Sequence, residues 1–160
     1  MKEILEEYAL IAEIISAIAV IISLVFVGFQ VRESTKVAKA SSFHEIAALD
    51  INILLSFGQS PESAKLISTF RAAPNSLSED EQNHGFYLFA AEVRHVENLF
   101  LQNENKMLSK NDWNSRKALV DGVILSPGFG YLLKHPFREF FDGSFIEFGI
   151  KQRRKNKEIE

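Results

Sequence analysis

The alternation of polar and apolar positions is absent from one stretch near the start of the chain. Residues 14–31 read IISAIAVIISLVFVGFQV and contain no charged side chain. As an α-helix this stretch spans about 27 Å, close to the roughly 30 Å thickness of a bilayer's hydrocarbon core. We therefore expect residues 9–31 to form a transmembrane helix behind a short acidic segment, residues 1–8. A buried core helix is the alternative, whereas the acidic start disfavours a signal peptide.

Small side chains recur within this predicted membrane helix. Ala12, Ser16, Ala19 and Ser23 follow one another at spacings of four, three and four residues, which places them on one face. Small faces let membrane helices approach closely, so the spacing predicts a helix-association seam. The alternative is that alanine and serine are simply common in membrane helices.

Basic residues are unevenly distributed around the apolar stretch. Lys2 precedes it among several glutamates, whereas Arg32, Lys36 and Lys39 follow it. Because basic residues favour the cytoplasmic side, we expect the N-terminus outside and residues 32–160 in the cytoplasm, with a single pass.

Helical periodicity continues beyond the predicted membrane helix. Residues 32–57 contain no glycine or proline, and we expect a cytoplasmic amphipathic helix whose apolar stripe contains Phe43, Ile46, Ala47, Leu54 and Phe57.

Cap signals then predict further helices. They begin at Ser60-Pro61, at the Ser78 to Glu81 capping box, at Ser109 or Asn111, at Ser126-Pro127 and near residue 144. The buried face of the second of these contains Phe86, Phe89, Val93, Val96 and Phe100. The predicted fold is all-α: one membrane helix and an irregular bundle of about five further helices. We expect a helical soluble domain over residues 32–150, with its last helix over residues 144–151.

The composition excludes several classes of function. The chain has no cysteine, which excludes disulfides, thiol nucleophiles and cysteine-ligated metals. A net charge of −3 and a pI near 5.8 argue against nucleic-acid binding. The positive charge instead concentrates in a C-terminal tail, residues 151–160. Its basic residues are candidates for lipid-headgroup contact; they are Lys151, Arg153, Arg154, Lys155 and Lys157. A solvated chain end is the alternative.

Catalytic and metal motifs are fragmentary. Glu92 and His95 match Glu-x-x-His, which on a helix places two metal ligands on one face, but the second such motif of a di-iron bundle is missing. They remain weak metal candidates, with His44 as a further one, although it lacks the second histidine of a zinc pair. No catalytic constellation is visible, so we expect neither an enzyme nor a cofactor. Glu97 and Asn98 suggest a polar network within the bundle.

Phenylalanines are dense between residues 129 and 148, where six occur. We expect them to fill a small bundle core, with an exposed partner surface as the alternative.

Several segments in fixed order carry a resemblance. They are residues 28–35 (GFQVREST), 41–45 (SSFHE), 77–81 (LSEDE), 96–102 (VENLFLQ), 112–113 (DW) and 126–128 (SPG). Together they resemble a widespread bacterial family of small single-span membrane proteins with a helical domain of unknown function. The resemblance implies a bacterial inner-membrane protein. It implies no substrate, cofactor or catalytic residue.

These observations favour an interaction module. We expect a membrane-anchored helical scaffold that forms a homo-oligomer or holds a membrane protein partner at the cytoplasmic face. One alternative is a metal-binding protein or enzyme that uses Glu92 and His95. Another is an accessory subunit of a larger membrane complex.

Overall fold

The computed structural model describes residues 2–158, and within them every regular element is helical. The six α-helices are α1 (Lys2–Gly58), α2 (Pro61–Ala72), α3 (Glu79–Glu104), α4 (Lys110–Ile124), α5 (Pro127–Leu132) and α6 (Gly143–Lys157). Short 3-10 helices occupy Pro74–Ser76 and Pro136–Phe140. The chain divides into two units between Ser41 and Ser42. The first residue of the predicted acidic segment and the last two of the predicted tail lie outside the described residues.

The first unit consists of the leading part of α1. Its most apolar 18-residue window has a mean hydropathy of 2.8, and none of that window is buried. α1 is therefore long and apolar enough to span a membrane. Two hydroxyls of this unit bond within the helix: Ser16 Oγ donates to the carbonyl of Ala12 and Thr35 Oγ1 to that of Val31, each at 2.8 Å.

The second unit begins within α1 at Ser42 and contains the remaining helices. Its helix starts confirm the cap signals. The Ser60 hydroxyl accepts from the backbone N–H of Ser63, and Ser78 with Glu81 forms the predicted capping box. Ser109, rather than Asn111, caps α4 and pairs with Asp112. Local side-chain chemistry thus fixes where these helices begin.

The core of this unit is aromatic and is built on α3. All five apolar residues predicted for the buried face of α3 are buried. Phe70 of α2 is fully enclosed, with its ring centroid 5.6 Å from that of Phe89 and 5.5 Å from that of Tyr131. Of the six late phenylalanines, Phe129, Phe141 and Phe145 are buried, whereas Phe140 is 68% exposed. Phe137 and Phe148 are partly buried and pack against the same core, so five of the six contribute to it.

Two glycines allow close packing of these rings. A Cβ at Gly85 of α3 would lie 2.9 Å from Cδ2 of Phe70. A Cβ at Gly149 of α6 would lie 2.7 Å from the ring of Phe129. The rings therefore occupy space that any other side chain at these positions would need.

Two helix predictions were wrong in detail. On α1 the inward-facing positions are Ser42 and Ile46, both buried, with Asp50 and Ile53 half-buried, whereas Phe43 and Leu54 of the predicted stripe are exposed. The last helix extends to Lys157 rather than ending near residue 151. Its added residues are Lys, Arg, Gln and Asn, most of them good helix formers, and cations stabilise a helix C-terminus.

Candidate functional site

Glu92 and His95, the candidate metal ligands, both lie buried on α3 with other partners. The carboxylate of Glu92 accepts a hydrogen bond from Nη2 of Arg71 on α2. Nε2 of His95 lies 2.6 Å from Oδ1 of Asp50 on α1. His44 is exposed beside Phe43. The two candidates therefore contact polar residues of different helices, Arg71 of α2 and Asp50 of α1, and do not converge on a shared ligand.

Asp50 links three helices of the second unit. It contacts His95 of α3, and its Oδ2 lies 3.5 Å from Nη2 of Arg116 on α4. Nδ1 of His95 is buried without a hydrogen-bond partner among the described residues. An Asp–His pair can orient a proton acceptor, but such catalysis also needs a nucleophile in contact. No group of three or more His, Asp or Glu able to hold a metal occurs in the described part of the chain. The triplet therefore acts first as a tie between helices.

The predicted polar network is present in two separate parts. Glu97, 2% exposed, accepts from Arg94 and from the backbone N–H of Asp142, the cap of α6. Asn98 accepts from Gln102 at 3.2 Å, and Gln102 in turn accepts from the hydroxyl of Ser42. Each part connects α3 to a helix distant in sequence, which confirms a network around both residues.

The outward face of α1 within the second unit is apolar. Ile51 is 57% exposed, Leu54 68% and Leu55 64%. The face also includes Ala48, and it contains no Asp, Glu, Lys or Arg, because Asp50 turns toward α3 and α4. We call residues 44, 47, 48, 51, 54 and 55 the outer α1 face. The seam residues Ala12, Ser16, Ala19 and Ser23 are exposed on α1 in the first unit.

The basic residues of the tail divide between two faces of α6. Arg153 and Lys157, one turn apart, line an open cleft of about 1070 Å³. Lys151, Arg154 and Lys155 lie on another face together with Glu147 and Glu158. These five cations are close together in the sequence, but the fold places them on two faces of α6.

The cleft, hereafter the basic cleft, lies among three elements of the second unit. The turn after α2 supplies Ala73 to Ser76, the α5 region supplies residues between Pro127 and Pro136, and α6 supplies the two cations. Lys134 adds a third cation, and no aspartate or glutamate among residues 2–158 lines the cleft. The cleft is therefore positive on a chain whose net charge is negative.

Arg153 is held in place by the end of another helix. Its Nη1 donates to the carbonyls of Ile124, at 2.9 Å, and Ser126, at 2.6 Å, where α4 ends. The Ile124 carbonyl is one that the C-terminus of α4 leaves without an intrahelical partner, whereas the Ser126 carbonyl, at the N-cap of α5, also accepts from the N–H of Gly130 at 3.4 Å. Burial lowers the pKa of the guanidinium, because desolvation disfavours the charged form.

Sequence reasoning missed Asp50, Arg71, Arg116 and Lys134 as members of these clusters. The local sequence pattern does not distinguish any of them from an ordinary solvent-exposed residue, and the partner of each is distant in sequence. Asp50 and Arg116, for example, are 66 residues apart. The one local signal was the unusual density of Glu, His and Asn on α3, because their buried polar groups require partners.

Comparison of the chain with known protein families, with curated proteins and with solved structures finds no match. Its function is therefore inferred from the chain's own residues.

Proposed function

We propose that the protein is a membrane-anchored, non-enzymatic helical module that self-associates through the outer α1 face at the cytoplasmic side of the bacterial inner membrane. Residues 9–31 form the single membrane pass. Support for the anchor comes from the charge-free apolar stretch and its complete exposure in the first unit. Exposed surface of that extent in water carries a large free-energy cost, which lipid removes.

The observation that carries the proposal is the exposure of Ile51, Leu54 and Leu55 on a helix whose opposite side packs into a domain. Burying each such side chain contributes roughly 1.5–3 kcal/mol. Isolated surface leucines are ordinary, but three within five residues of one helix form a contiguous patch. The patch therefore indicates a contact surface.

The spacing and charge of this face favour a second copy of the chain as its occupant. His44, Ala47, Ile51 and Leu54 follow spacings of three, four and three, the pattern of a heptad seam. In the sequence, Ser16 to His44 and Ser23 to Ile51 are each 28 residues, four heptads, apart. Ala12 to Ala47 and Ala19 to Leu54 are each 35 residues, five heptads.

The lack of Asp, Glu, Lys and Arg on the outer α1 face also favours a second copy of the chain as its partner. Two identical charged surfaces repel, whereas two identical uncharged apolar faces pair without repulsion. Copies anchored in one membrane also share their orientation and a raised effective concentration. These properties support a parallel homo-oligomer over a partner of complementary charge.

Cysteine cross-linking tests this proposal cleanly, because the chain has no native cysteine. Ile51→Cys and Leu54→Cys are oxidised separately in native membranes, with Asn52→Cys as the matched control on an exposed position outside the seam. We expect disulfide-linked dimers from the first two variants and little from the control. Equal yields from all three variants, or no dimer at positions 51 and 54, overturn the proposal.

Purification in mild detergent separates self-association from the accessory-subunit alternative. A species containing only this chain, at a multiple of 18.1 kDa, supports the proposal. A stoichiometric second protein with no self-cross-link makes the chain an accessory subunit instead.

The proposed topology has its own test. Arg32, Lys36 and Lys39 follow the anchor and support a cytoplasmic second unit. Glu3→Cys and Asn156→Cys are probed on intact cells with an impermeant thiol reagent. We expect labelling at position 3 only; labelling at position 156 only reverses the orientation.

A further inference from the structure

We infer that the basic cleft binds a phosphoryl group, presented either by a lipid headgroup or by a small soluble phosphate ester. The inference concerns a ligand site separate from the outer α1 face, so it does not depend on self-association. It rests on the placement of Lys134, Arg153 and Lys157 around one open cleft.

The charge of the cleft selects the sign of its ligand. Three cations and no acidic residue among the described ones line it, whereas on another face of α6 the cations Lys151, Arg154 and Lys155 lie together with Glu147 and Glu158. The whole chain has 21 acidic and 18 basic residues, so an acid-free basic cleft departs from its average. Such a cleft favours an anion and excludes a cation.

Arg153 supplies a preorganised donor. Its hydrogen bonds to the end of α4 come from Nη1, and Nη2 lies 2.9 Å from the position that a Cβ of Gly130 would occupy. The absence of a side chain at Gly130 leaves room for the guanidinium at the wall of the cleft. A guanidinium fixed in this way binds phosphate oxygens at low entropic cost.

If Arg153 only capped the end of α4, that role would explain the two hydrogen bonds that its Nη1 donates and nothing more. It does not account for Lys157 on the same face one turn later, or for Lys134 from the turn after α5. His135 also lines the cleft: its Nδ1 accepts from the N–H of Phe137 at 3.1 Å, which leaves Nε2 as the ring nitrogen that can donate to a ligand.

The chemistry of these donors favours a phosphoryl group over a single carboxylate. Lysine ammonium groups and an arginine fork together can contact several oxygens of one tetrahedral anion. A carboxylate has two oxygens and one negative charge, and it leaves part of this donor set unused. The adjacent Ala73–Ser76 turn and Tyr131 leave space for the rest of the ligand.

The test uses the full chain in neutral detergent, titrated calorimetrically with glycerol 3-phosphate and, as a matched neutral probe, glycerol. A second measurement uses native mass spectrometry after incubation with phosphatidylglycerol or phosphatidylcholine. Heat from glycerol 3-phosphate identifies a soluble ester as the source. Selective retention of phosphatidylglycerol without that heat identifies a lipid headgroup.

The decisive variant carries Lys134→Gln and Lys157→Gln, and its control carries Lys151→Gln and Lys155→Gln. Both remove two positive charges, but only the first pair lines the basic cleft. We expect the first variant to lose about tenfold or more in affinity and the control to change by less than about twofold. Equal losses of affinity in both variants overturn the inference. It is also overturned if the wild type binds neither glycerol 3-phosphate nor phosphatidylglycerol.

Gly130→Ala provides a second variant that leaves every charge in place. Its methyl group displaces the Arg153 guanidinium, so binding should weaken although the net charge is unchanged. Wild-type affinity in a folded Gly130→Ala protein would overturn the role assigned to Arg153.

Discussion

The close approach of Phe70 to Gly85 predicts how Gly85→Ala changes the stability of the protein. Whether the change stabilises or destabilises depends on the Phe70 ring. Replacing a glycine inside a helix by alanine normally stabilises a protein by roughly 0.5–1 kcal/mol. At Gly85 the new methyl carbon would lie 2.9 Å from Cδ2, 3.1 Å from Cβ and 3.2 Å from Cγ of Phe70. These atoms are at the root of a fully buried ring, so the ring cannot swing away.

We therefore expect Gly85→Ala to destabilise the wild-type protein. Overpacking a well-filled core costs typically about 1–3 kcal/mol, which exceeds the gain in helix propensity. In a Phe70→Ala background, itself destabilised by about 3–5 kcal/mol, Cγ and Cδ2 are gone, and the remaining Cβ, 3.1 Å away, can shift into the cavity that they leave. Gly85→Ala should then recover the helix-propensity gain of roughly 0.5–1 kcal/mol, giving a coupling of about 1–3 kcal/mol, the overpacking cost that the ring imposes.

The assay is urea unfolding of the full chain in mild detergent, followed by the fluorescence of Trp113. This residue is the chain's single tryptophan and packs against the core. Gly122→Ala is the matched control, because Gly122 lies in helix α4 and its added methyl group would have no neighbouring atom within 4 Å. It should stabilise both backgrounds equally. Stabilisation of the wild type by Gly85→Ala, or an identical effect in both backgrounds, would refute the steric explanation.

Three further predictions concern polar groups of the second unit. Glu97→Leu should destabilise the protein by roughly 2 kcal/mol or more in the same urea assay, because it leaves the Asp142 N–H without its acceptor; an unchanged midpoint would contradict it. Hydrogen bonds from the hydroxyl and backbone N–H of Ser78 hold the pKa of Glu81 below its usual value, and those from the Ser144 hydroxyl and the backbone N–H groups of Phe145 and Ser144 do the same for Asp142, so the stability these carboxylates contribute is full above pH 4.5 and is lost as the pH falls further; a midpoint independent of pH between 5 and about 3 would count against it. His95→Ala should lower stability without changing the metal content of purified protein measured by mass spectrometry, since the ring contacts Asp50; co-purifying metal lost with the histidine would restore the metal-binding alternative.

Local features of the sequence predicted much of this fold. Ser60, Ser78, Ser109 and Ser126 each begin a helix because capping depends on a few neighbouring residues. The buried face of α3 was predictable because its apolar side chains are concentrated on one side. Both signals act over four to about twenty residues and need no knowledge of the partner helix.

The orientation of α1 in the second unit was not predictable in the same way. Its residues between 43 and 57 are apolar around much of the helix, so periodicity cannot exclude Phe43 and Leu54 from the inward stripe that contains Ile46. The choice is made by long-range contacts such as Ser42 to Gln102 and Asp50 to His95.

The basic cleft illustrates the same limit at the candidate site. Lys134 and Arg153 approach one cleft only because α5 and α6 pack together. A count of basic residues in the tail could identify positive charge, but it could not divide that charge between faces.

The rotation of α6 about its axis sets which residues of its second half line the basic cleft. Phe145 and Gly149 fix the rotation of this helix in the core, and Arg153 and Lys157 follow four and eight residues after Gly149. Each residue advances the helix by about 100°, so one alanine inserted after Ile150 should turn both cations away from the cleft. Four inserted residues advance the helix by about 400°, nearly a whole number of turns, and should return them to the same side. The cleft's charge is thus encoded as much by the number of residues after Gly149 as by their identity.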